Sequence, residues 1–233
     1  MHQWWTAAKV LLALAVLVSP ACAFDMFPPA GLGGPTDLSS YTRFVHLASG
    51  VCPLSFSLNA FPVAKLDFGQ CTGYQAINQQ NYALQVQPTG GSLLAPQASF
   101  GPLPLRSQYY YTVLVMGQSD MLRVKVLDDD PGLPPAHHVR VRFVNAALTA
   151  PPLTLSTCGE AAAPVFCDIA PGCASDYRLL PSGLAGYRIT TARSATPLVD
   201  VVTQPCNGWV YTVVVYGGYT PEEPYRVIVL RDR

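Results

Sequence analysis

Six of the seven cysteines, a run of aspartates and a concentration of tyrosines are the residues of this chain whose types and spacing offer chemistry. The cysteines fall as Cys52 and Cys71 in the first half and Cys158, Cys167, Cys173 and Cys206 in the second. An even number in each half of an exported chain favours disulfides over thiol chemistry. Cys52 with Cys71 is then forced. The other four admit three pairings. Cys158 with Cys167, closing a hairpin, and Cys173 with Cys206, tying a mid-domain strand to the approach of Tyr211, are preferred. No close Cys-x-x-Cys pair supplies zinc spacing. Asp128-Asp129-Asp130, with His137-His138, lacks the spaced oxygens of a calcium loop and reads as a solvated linker. No metal site and no cofactor is expected.

Catalytic constellations are equally thin. No Gly-x-Ser-x-Gly elbow and no phosphate-cradling glycine loop occurs. The carboxylates Asp67, Glu160, Asp168, Asp176, Asp200, Glu222 and Glu223 sit in apparent turns, and nothing recommends any two of them as an acid–base pair. No catalytic residue is assigned, and a hydrolase ranks last among the readings. The tyrosines are richest at strand ends, where Tyr109, Tyr110, Trp209 and Tyr219 form the candidate binding surface, exposed aromatics being favoured in contact patches. The plainer reading of the same tyrosines is strand packing.

The elements that must position these residues are strands. Tyr111-Thr112-Val113-Leu114-Val115-Met116-Gly117 returns one hundred positions later as Tyr211-Thr212-Val213-Val214-Val215-Tyr216-Gly217. Arg43-Phe44-Val45 returns as Arg142-Phe143-Val144. Val139, Val141 and Phe143 alternate with Arg140 and Arg142, the period-two pattern of a strand. Short strands split by Pro, Gly and Asn predict two tandem antiparallel β-sandwiches, the first over 41–130 and the second over 139–233. A proline-rich linker spans 131–138, and a disordered leader spans 24–40.

Residues 1–23 read as a signal peptide: Lys9, the apolar run Val10 to Val18, and small residues at Ala21 and Ala23, with cleavage after Ala23. Acylation at Cys22 is the rival, but Ser19 stands where a lipobox wants an aliphatic residue. Removing Lys9 leaves 13 basic against 14 acidic groups, a net charge of −1, which gives no electrostatic case for nucleic acid. No later apolar run is long enough to span a membrane. Only 12% of the chain is charged, so the two sandwiches are expected to bury surface against one another.

Arg142-Phe143-Val144-Asn145-Ala146, the strand after Pro151-Pro152, Gly186-Tyr187 and the Tyr211 strand together resemble the exported family called domain of unknown function 4397. Arg43-Phe44-Val45-His46-Leu47-Ala48 matches the same opening, departing from it at Leu47. The resemblance implies immunoglobulin-like sandwich repeats, here two, acting as an extracytoplasmic binding or structural module with no catalytic residues to carry over. His46 and Asn145 share the family's His/Asn position. Since imidazole and amide both donate and accept, this position reads as a hydrogen-bonding strap rather than a catalyst. The expected function is a secreted or surface-associated, disulfide-stapled module that meets a protein partner at a surface or in a matrix. A carbohydrate-binding module using the tyrosine-rich strand ends is the alternative.

Overall fold

A computed structural model describes residues 38–51, 53–89, 98–118, 121–129, 132–158, 163–183, 186–191, 194–203 and 205–232. The expected signal peptide, the leader as far as residue 37, and Cys52 lie outside the described residues. The first half forms β1 (Ser39–Ser49), β2 (Leu54–Leu58), β3 (Phe61–Leu66), β4 (Gln75–Asn78), β5 (Gln80–Pro88), β6 (Ala98–Leu105), β7 (Tyr110–Gln118) and β8 (Met121–Asp128). The second forms β9 (His138–Asn145), β10 (Leu153–Thr157), β11 (Pro164–Ile169), β12 (Arg178–Pro181), β13 (Gly186–Thr191), β14 (Ser194–Val202), β15 (Val210–Gly217) and β16 (Tyr225–Arg231). The described residues contain no helix, and the protein is all-β.

Each half builds two four-stranded sheets in the same order. The first half has β4-β1-β7-β8 and β3-β2-β5-β6; the second has β12-β9-β15-β16 and β11-β10-β13-β14. The expectation of wholly antiparallel sheets is corrected at one place in each half. β1 pairs with β7 in parallel, as does β9 with β15. These strands open and nearly close their halves, so the rest of the half supplies the long crossover that a parallel pair requires.

The parallel pairs also explain why the repeated strand is apolar on both sides. Tyr111, Val113 and Val115 face the first half's own core, with Phe44, Phe56 and Leu84. Leu114 and Met116 face the other way, into a third core shared with Val144, Val214, Tyr216 and Leu230 of the second half. β15 divides likewise, with Val213 and Val215 inward and Val214 and Tyr216 at the shared face. A strand buried on both faces reads as a continuous apolar run rather than an alternation. Full burial of a side chain such as Leu114 contributes about 1.5–3 kcal/mol, so the shared core holds the halves together strongly. This is the mutual burial that the low charge predicted.

The preferred disulfides of the second half are not formed. Cys158, Cys167 and Cys173 are free thiols. Cys167 follows Phe166, which stands opposite Leu155, three residues before Cys158. At ~3.3 Å per residue that offset is about 10 Å, beyond the ~7 Å that a disulfide spans between Cα atoms. Cys173 lies at the end of β9, where its carbonyl accepts from the Asn145 amide at 3.0 Å. Cys206 lies by the start of β9, two residues before Gly208, whose amide donates to the His138 carbonyl at 2.9 Å. The length of β9, roughly 20 Å, separates the two.

Candidate functional site

The two halves meet in a neutral, four-membered cluster of buried charges. Arg43 lies on β1 and Arg142 on β9, at matching places in the Arg-Phe-Val motif, and both point to the shared face. Asp129 follows β8 and Asp232 follows β16. All four side chains are at most 5% exposed. Arg43 pairs with Asp232 of the other half, and Arg142 pairs with Asp129. The crossed separations, Arg43 to Asp129 and Arg142 to Asp232, are 3.9 Å and 4.0 Å.

Each carboxylate is held within its own half by a threonine and a tyrosine. Thr112 donates to Asp129, and Tyr74 donates to the same carboxylate at 2.9 Å. In the second half Thr212 donates to Asp232 at 2.6 Å and Tyr177 at 2.7 Å. Each arginine uses the rest of its fork in the same way. Arg43 Nε donates to Thr112 at 2.7 Å and Nη1 to the Arg231 carbonyl at 2.7 Å. Arg142 Nε donates to Thr212 at 3.1 Å and Nη1 to the Asp128 carbonyl at 2.9 Å. The guanidinium of Arg43 stacks on Tyr74 at 4.7 Å and that of Arg142 on Tyr177 at 4.4 Å. Each carboxylate belongs to one half and the arginine that neutralises it to the other, so the halves join like the subunits of an isologous dimer.

Electrostatics follow from the geometry. Burial opposes the charge on each arginine. The aspartates and the stacked tyrosine outweigh it, and both guanidinium groups titrate above their ordinary range. Burial pushes the Asp232 carboxyl up, against the pull of Arg43 and Arg142. Burial likewise raises Tyr74 and Tyr177, which stay neutral donors. With every group tied to a protein partner, the cluster's chemistry is adhesion.

The solvated-linker reading of Asp128-Asp129-Asp130 is therefore corrected for Asp129, which is fully buried. Asp130 lies outside the described residues. No group of three or more His, Cys, Asp or Glu side chains among the described residues is placed to hold a metal ion. Sequence reasoning missed Asp129, Asp232, Tyr74 and Tyr177. A signal was present. Leu127-Asp128-Asp129 and Leu230-Arg231-Asp232 share an ending, as do Thr72-Gly73-Tyr74 and Ser175-Asp176-Tyr177. Thr72 and Ser175 are also equivalent in structure, accepting from the Phe44 and Phe143 amides at 3.0 Å each.

His46 and Asn145 act as the strap that their shared position implies. The Ala48 amide donates to His46 Nδ1 at 3.2 Å, which leaves Nε2 to carry the proton toward the Val51 carbonyl at 2.9 Å. Burial holds this imidazole below its ordinary pKa. Asn145 Nδ2 donates to the Ile169 carbonyl at 3.0 Å, tying β9 to the end of β11.

The four residues of the expected binding surface separate into two ends of the molecule. Tyr110 stacks on Tyr41 at 4.8 Å and meets Tyr74 edge-on at 5.2 Å, so it packs beside the charge cluster. Tyr109 is 38% exposed and stacks on Tyr111 at 6.3 Å. Trp209 lies half-buried beneath the Arg231 guanidinium. Tyr219 stands past the far end of β15, roughly 25 Å of strand away. Its hydroxyl accepts from the Gly117 amide at 3.0 Å, bridging the ends of β15 and β7.

Residues 40–156 match the model of a family described as a domain of unknown function, DUF4397. The chain belongs to the DUF4397 family. The match runs from within β1 to within β10, half of the chain. No curated protein matches the chain.

Proposed function

We propose that this DUF4397 chain is an exported, non-catalytic structural or protein-interaction module. In this reading it consists of two copies of an immunoglobulin-like sandwich fused into one rigid body. The observation that carries the reading is the reciprocal Arg43–Asp232 and Arg142–Asp129 pairing over the shared apolar core. Such a joint fixes the spacing of the molecule's two ends, which suits a spacer or an adaptor at a surface or in a matrix. Export rests on the sequence of residues 1–23.

The test is localisation of the native protein joined to crosslinking of its neighbours. The reading expects the mature chain outside the cytoplasm, beginning near Phe24, and crosslinked to a recurrent surface or matrix protein. A cytoplasmic protein, or turnover of a substrate abolished by one carboxylate substitution, would overturn it. Peptide mapping of the exported protein without reductant reads the state of Cys158, Cys167, Cys173 and Cys206 in that compartment.

A further inference from the structure

The halves close their last hairpin differently. In the first half Gln118 pairs with Met121, leaving two residues between β7 and β8. In the second half Gly217 pairs with Tyr225, leaving the seven residues 218–224 between β15 and β16. The strands on either side correspond, and the first half forms its hairpin without the longer connection. The extra residues help to line an open groove of about 540 Å³, with Tyr219, Thr220, Glu223 and Tyr225 joined in the lining by Thr149 and Leu198.

Three features make the groove a built one. The Tyr219 hydroxyl is pinned to the Gly117 amide at 3.0 Å, which fixes the ring. Thr149 Oγ1 donates to the Gly218 carbonyl at 3.2 Å, and the Tyr219 amide donates to Glu223 at 3.3 Å, which fixes the connection. Gly218, at φ +70°, lies so close to the Tyr225 ring that a Cβ would stand 2.4 Å from a ring carbon. A side chain there would push into the ring, so the close approach depends on glycine.

The geometry points to this groove as a binding site for a neutral oligosaccharide. The half-buried rings of Tyr219 and Tyr225 offer flat apolar surface to the C–H faces of a sugar. Glu223, beyond its bond to the Tyr219 amide, and Thr220 offer further acceptors and a donor for hydroxyl groups. Among the described residues no Lys or Arg lines the groove, and Glu223 repels anions, so acidic glycans and phosphates are disfavoured. A loop held rigid on a sandwich scaffold is a place where binding is carried. The inference stands independently of export and of the protein-interaction reading.

The test uses the full mature chain on a printed array of neutral and acidic oligosaccharides, followed by calorimetric titration with the best-bound neutral one. The expected result is retention of neutral glycans. Tyr219→Ala should weaken binding by roughly tenfold or more, and Glu223→Gln by a smaller factor. A chain whose residues 218–224 are replaced by the two-residue turn of the first half should keep its cooperative unfolding and lose binding. Should Tyr219→Ala fail to fold, Glu223→Gln and the shortened hairpin decide. Absence of neutral-glycan binding by the unmodified chain, retention of acidic glycans alone, or undiminished binding by the shortened hairpin each overturns the proposal.

Discussion

The two ends of this molecule are built on different rules. At the end where β7 and β15 begin, every feature occurs twice. Arg43 answers to Arg142, Thr112 to Thr212, Asp129 to Asp232 and Tyr74 to Tyr177, with the same partners in the same roles. At the end where those strands finish, the halves differ: one closes in two residues and the other in seven. The duplicated end is the joint, because a self-complementary contact needs both halves to bring the same groups. The unmatched end is also bridged, by the Gly117–Tyr219 hydrogen bond, but that contact does not need matching groups from both halves, and there the chain has room for a site of its own.

The largest expected effects fall at the joint. Asp129→Ala strands Arg142 in a dry interface and leaves Thr112 and Tyr74 without their acceptor. The expected loss is about 3–5 kcal/mol in urea unfolding, with Asp232→Ala of similar size. If one aspartate matters and the other does not, the reciprocity is broken. Next comes the shared core. Leu114→Ala removes a fully buried side chain from it and should cost about 2–5 kcal/mol.

A smaller effect separates the straps. The His46 imidazole is held neutral in the fold, below its ordinary pKa, while in the unfolded chain it titrates near 6.5. As pH falls through that value the unfolded chain takes up a proton that the folded chain refuses. This contribution is therefore fully present above about pH 6.5 and is lost progressively on acidification toward the folded pKa. His46→Asn, which copies the second half, should keep the fold and flatten that part of the pH profile. An unchanged profile would show that the imidazole is not the titrating group. The smallest effect is at Arg188 and Asp200, a bidentate pair at 2.8 Å and 3.0 Å on the open face of β13 and β14. Arg188→Ala should leave the unfolding midpoint unchanged within error, since an exposed pair gains little over water.

Much of the frame was legible in the residues. The Tyr-Thr-Val echo marked β7 and β15, the Arg-Phe-Val echo marked β1 and β9, and the His/Asn position marked a strap. What escaped was pairing across the chain. Nothing local says that Arg43 meets Asp232, 189 residues away, because the contact exists only once both halves have folded. Asp129 was misread because, beside two other aspartates and a proline, it has the look of a solvated turn; burial comes from the second half packing over it. The two preferred cysteine pairings of the second half failed on register, since even counts say nothing of which strand ends lie together. Tyr109, Tyr110, Trp209 and Tyr219 were grouped by residue type, whereas the length of β15 divides them.

Hydrogen–deuterium exchange on the Asp232→Ala chain tests the joint most directly. Asp232 follows the last strand of the second half, yet its arginine partner is on the first strand of the first half. The reciprocal joint predicts faster exchange in β1 and β7 together with β9 and β15, relative to the unsubstituted chain. Faster exchange confined to β15, β16 and their neighbours in the second half would contradict it.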